Sequence, residues 1–84
     1  MSIWQEADDL DTPEAYVSIS DGARTHCARV ADLILPVGAD ETTICDAAAE
    51  DYAEGYVGRK ISVEVTLYRN NEVIDCVYRM VSPS

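Results

Sequence analysis

The strongest constraint in this chain lies between Ile61 and Val81. Ile61, Val63, Val65 and Leu67 alternate with Ser62, Glu64, Thr66 and Tyr68, the period-two pattern of a strand with one buried face. The run stops at Asn70-Asn71, a pair suited to a two-residue type I′ turn because asparagine tolerates left-handed backbone. Pairing Arg69 with Glu72 across that turn predicts a simple register: Leu67 with Ile74, Val65 with Cys76, Val63 with Tyr78 and Ile61 with Met80. The opposite face then pairs Tyr68 with Val73, Thr66 with Asp75, Glu64 with Val77, and Ser62 with Arg79. The first set is apolar or aromatic throughout, so turn chemistry and side-chain pattern agree.

A second hairpin is expected upstream. Residues 15–20 (AYVSIS) alternate with Val17 and Ile19 on one face, Asp21-Gly22 signals a turn, and Arg24 to about Leu35 reads as the returning strand. A loop of even length places Ala28 and Val30 beside Val17 and Ile19; a three-residue loop places Cys27 there. Between the hairpins, residues 42–56 read as a helix. Asp40 or a threonine caps its first turn, Ile44, Cys45, Ala48, Ala49, Tyr52 and Tyr56 gather on one side, and Gly55 and Gly58 stop it. The order is ββαββ. The predicted fold is α+β, a four-stranded antiparallel sheet with one helix packed on one face, over residues 15–84. The 84 residues suit a single such domain. Residues 1–14 form an acidic N-terminal arm that only Ile3, Trp4 and Leu10 can anchor.

Net charge is −10, from 16 acids against 6 bases. Direct contact with nucleic acid or an anionic membrane calls for the opposite sign. The charge is segregated. The arm holds five acids and no base. Residues 40–54 hold six acids (Asp40, Glu41, Asp46, Glu50, Asp51, Glu54) and no base, while the remaining five acids face all six bases. Asp46, Glu50 and Glu54 are successive i,i+4 neighbours, a spacing of about 6 Å along a helix. Like charges there cost about 0.2–0.5 kcal/mol per pair, so stability alone does not select the row. Such a line of carboxylates can face a basic groove as a phosphate backbone does.

Motifs that would carry chemistry are missing. The three cysteines are odd in number and form no CxxC, which argues against a disulfide framework or a zinc site and for free thiols. His26-Cys27 are strand neighbours and point to opposite faces, so a thiol–imidazole pair is not expected. Counted from Asp9, the sixth and twelfth positions are Glu14 and Ser20, where a calcium loop needs glycine and glutamate. No phosphate-binding glycine loop occurs. The reading is non-enzymatic, with no cofactor and no metal. The acidic start lacks a secretory pattern and no run approaches a membrane span, so a cytoplasmic location is expected.

In size, acidity, near-neutral strands and the acidic helix of its ββαββ order, the chain resembles small phage-encoded inhibitors, anti-CRISPR proteins among them. That resemblance implies a compact inhibitor that blocks a nucleic-acid-binding complex of the host cell. The expected partner is a basic surface of a protein or nucleoprotein complex. The expected contacts are Asp46, Glu50, Asp51 and Glu54 on the helix, supported by Asp8, Asp9 and Asp11. The alternative is a small assembly subunit that self-associates as a homodimer through its sheet face or edge, using Val73, Val77, Tyr16 and Tyr68.

Overall fold

The computed structural model describes residues 3–6 and 14–83. Among the described residues, five strands and one α-helix follow in the order β1 (Gln5–Glu6), β2 (Ala15–Ser20), β3 (Thr25–Arg29), α1 (Glu41–Glu54), β4 (Ile61–Arg69) and β5 (Glu72–Val81). The sheet is antiparallel at every pairing, with spatial order β1-β3-β2-β4-β5. The α+β class and the helix on one face are as expected, but the sheet has five strands rather than four. The added strand comes from the arm, where Gln5 aligns with Cys27 and Glu6 with His26. Two polar residues carry no strand pattern, because an edge ladder is held by main-chain groups whatever the side chains are.

Val17, Ile19, Val63, Val65 and Leu67 are fully buried on the sheet face beneath α1, which contributes Ile44, Cys45, Ala48 and Ala49. Asp40 caps the helix by accepting from the Thr43 amide at 2.8 Å, and this bond holds its carboxyl below the usual pKa range. The helix ends at Glu54, so Tyr56 lies beyond it rather than on its last turn.

The first hairpin takes the even loop. Ser20 pairs with Thr25 around residues 21–24, and Ala28 joins Val17 on the core face. The turn is held by the Asp21 carboxylate, which accepts from the amides of Ala23 and Arg24 at 2.9 and 2.7 Å. Gly22 sits at φ 94°, a conformation that penalises any side chain. β3 is shorter than expected, giving way after Arg29 to a 3₁₀ turn over Val30–Asp32.

The second hairpin turns where predicted, with Asn70 and Asn71 at φ 53° and 66° and Arg69 opposite Glu72. Beyond Tyr68 and Val73 the register departs from expectation. Leu67 faces Asp75, Val65 faces Val77, Val63 faces Arg79 and Ile61 faces Val81. Ile74 is an extra residue opposite the Leu67–Tyr68 step, a β-bulge, and it turns every later side chain of β5 to the other face. Asp75, Val77, Arg79 and Val81 therefore face the helix, and Cys76, Tyr78 and Met80 face away. Val81 is 1% exposed, whereas Met80 is 59% exposed.

This register yields a direct test. Val81→Ala should lower the unfolding free energy by about 2 kcal/mol, the cost of two buried methyl groups and the space they leave. Met80→Ala should change it by less than about 0.5 kcal/mol. Urea denaturation of both variants measures the difference, and the unbulged register predicts the reverse order.

Candidate functional site

The acids of α1 do not share one environment. Asp46 points toward β5 because the bulge brings Arg79 under the helix, and Arg79 Nε donates to Asp46 Oδ1 at 2.6 Å. The first carboxylate of the expected row is thus paired with a base. Glu50 and Glu54 are exposed. Asp51 lies on the other flank and accepts from Trp4 Nε1 at 3.0 Å. Asp8, Asp9 and Asp11 lie outside the described residues.

Asp51 and Glu54 come together on the rim of a surface depression of about 900 Å³, walled by Trp4, Tyr52 and Tyr56 and completed by Asp21, Arg24 and His26. The aromatic residues form a chain of contacts. Trp4 meets Tyr52 edge-on at 5.4 Å between ring centroids, and Tyr52 lies against Tyr56 at 6.1 Å. The Tyr52 hydroxyl is 3.5 Å from His26 Nδ1. Burial raises the Tyr52 pKa, and the negative charge of Asp21 adds to the effect, so the phenol stays protonated at neutral pH. The depression gathers three carboxylates, Asp21, Asp51 and Glu54, and one guanidinium, Arg24, beside three aromatic rings. Its Trp4 wall could be found only by seeing that Gln5–Glu6 would join the sheet.

The opposite sheet face has a different character. Small side chains fill its middle, where Ser18 aligns with Cys27 on one side and Thr66 on the other, and Thr66 with Cys76. Tyr16 and Tyr68 stack at 4.8 Å with planes 11° apart. Tyr78 donates to Glu64 at 3.1 Å, a bond that raises the Tyr78 pKa by favouring the neutral phenol.

His26 and Cys27 point away from each other: His26 aligns with Ile19 on the core face and Cys27 with Ser18 on the other. Burial raises the Cys27 pKa. Burial likewise pushes Cys45 up to about 11, reinforced by the nearby charges of Asp75 and Asp46 and opposed by Arg79. Both thiols are thus kept from the reactive thiolate form. Among the described residues no helix is long and apolar enough to cross a membrane.

Comparison with family models, with curated proteins and with solved structures finds no match.

Thiol titration follows from these environments. At pH 8 a disulfide reagent should modify exposed Cys76 rapidly and Cys27 and Cys45 only at the rate of unfolding. Absorbance stopped-flow with Cys76→Ser as control measures the split. Three rapid thiols would contradict the burial of Cys27 and Cys45.

Proposed function

We propose that this chain is a non-enzymatic acidic binding protein, an inhibitor of the anti-CRISPR kind that occupies a basic, nucleic-acid-binding surface of a partner complex in the host cytoplasm. The observation that carries the reading is the placement of Asp51 and Glu54 beside Trp4, Tyr52 and Tyr56. An arginine or lysine side chain gains there from both carboxylates and ring faces, and Arg in particular matches a carboxylate with two parallel bonds. Glu50 extends the negative surface along the exposed side of the helix.

The pairing of Asp46 with Arg79 narrows the proposal. Asp46 is engaged by Arg79; exposed Glu50, and Asp51 and Glu54 beside the aromatic depression, are the helix residues expected to meet the partner. The row works from its C-terminal half, where carboxylates are least favoured by the helix dipole. A partner cation resting there relieves that local penalty.

The test is displacement. The tagged chain is used to capture a nucleic-acid-binding complex from a bacterial lysate, and the purified complex is then titrated against labelled DNA with the chain as competitor. The chain should displace DNA, and Glu50→Lys with Glu54→Lys should weaken displacement at least tenfold while leaving the circular dichroism spectrum unchanged. Raising salt to about 0.5 M should weaken binding as well, since exposed charges are then screened beyond a few ångström. Binding that survives both changes contradicts charge-led recognition.

A further inference from the structure

β5 is an outer strand of the sheet. Ladder bonds fix which of its main-chain groups point outward. The Asn70 amide donates to the Glu14 carbonyl at 2.8 Å, so the even-numbered residues of β2 and β4 bond to each other. The odd-numbered residues of β4 therefore bond to Asp75, Val77, Arg79 and Val81. This leaves the N–H and C=O groups of Cys76, Tyr78 and Met80 facing away from the sheet.

Two of these groups are capped by their neighbours. The Cys76 amide donates to Asp75 Oδ1 at 2.9 Å, and Arg79 Nη1 donates to the Tyr78 carbonyl at 2.8 Å. An acid and a base thus occupy the donor and acceptor that an added strand would use.

Those same residues make the edge complementary to itself. A second copy placed antiparallel, with its two-fold axis perpendicular to the sheet at Val77, sets Cys76 opposite Tyr78 and Tyr78 opposite Cys76. Both are outward-facing residues and can exchange N–H···O=C bonds once Asp75 and Arg79 release the Cys76 amide and the Tyr78 carbonyl. Asp75 then faces Arg79 of the second copy, twice over by symmetry, and Ile74 faces Met80. Other centres lose this match. An axis at Asp75 or Arg79 opposes like charges, and an axis at Cys76 or Tyr78 sets Arg79 against valine. Ile74, Tyr78 and Met80 are 39%, 65% and 59% exposed and gain cover in the pairing. We propose that two copies of this chain associate through β5 in this register, forming one continuous sheet with both helices on the same face.

This pairing is independent of the charge-led reading above and responds oppositely to salt. Each copy carries −10, so mutual repulsion opposes association and screening should strengthen it. The Asp75–Arg79 pairs fix the register, with the backbone bonds and apolar contacts supplying the affinity.

Sedimentation equilibrium of the full chain at low salt and at about 0.5 M salt tests the association. The expected result is a monomer–dimer equilibrium that tightens with salt, and Asp75→Arg should weaken it at least tenfold. A monomer under all conditions overturns the proposal, with Asp75 and Arg79 then serving to shield the edge. The register is read from Val77→Cys made in a Cys76→Ser background, where mild oxidation should produce a covalent dimer because residue 77 lies opposite itself. A dimer that forms this cross-link poorly, or a parent chain that cross-links through Cys76 instead, overturns the Val77-centred pairing.

Discussion

The one-residue bulge at Ile74 decides what both faces of β5 present, and much of the molecule depends on it. By turning Asp75, Val77, Arg79 and Val81 toward α1, it completes the core with Val81 and places a guanidinium beneath an acidic helix. Arg79 then neutralises Asp46, at a point where both side chains retain partial exposure, 37% and 48%. An exposed pair of this kind contributes at most about 1 kcal/mol. Its larger consequence is positional, because it tethers the helix to the edge strand and leaves the remaining acids to the outer and opposite flanks.

Charge segregation in the sequence is thereby converted into two surfaces. On the flank away from β5, Asp51 and Glu54 border an aromatic depression whose Trp4 wall is held by a bond to Asp51. Along β5, Asp75 and Arg79 cap the outward amide of Cys76 and carbonyl of Tyr78, and they are the charges that the proposed pairing would set against a second copy. The two surfaces lie on opposite margins of the sheet, so occupation of one does not require the other to be vacant. Self-pairing would present two acidic helices to one partner, which raises avidity without any new contact.

The sequence was informative wherever local chemistry was decisive. Alternation from Ile61 to Leu67, the Asn70-Asn71 turn and the apolar side of the helix each name a local structure, and each is present. The register of β5 was not legible for a physical reason. Ile74, Cys76, Tyr78 and Met80 are more apolar as a set than Asp75, Val77, Arg79 and Val81, so the pattern favours the wrong face. In the folded chain Arg79 meets Asp46 of the helix and Tyr78 meets Glu64 on the far face, contacts between distant segments that the local pattern does not contain. The row Asp46–Glu50–Glu54 was likewise correct in spacing, yet spacing could not reveal that its first member is paired. The polar Gln5–Glu6 segment joined the sheet through its backbone, where sequence pattern is silent.

The most direct measurement is the set of Hα–Hα nuclear Overhauser contacts across β4 and β5. In this register Glu64–Tyr78 and Thr66–Cys76 are the closely spaced, non-hydrogen-bonded pairs, so strong Hα–Hα cross-peaks should join them. Cross-peaks joining Glu64 to Val77 and Thr66 to Asp75 instead would show a hairpin without the bulge. That result would remove Arg79 from beneath the helix and contradict the account built on it.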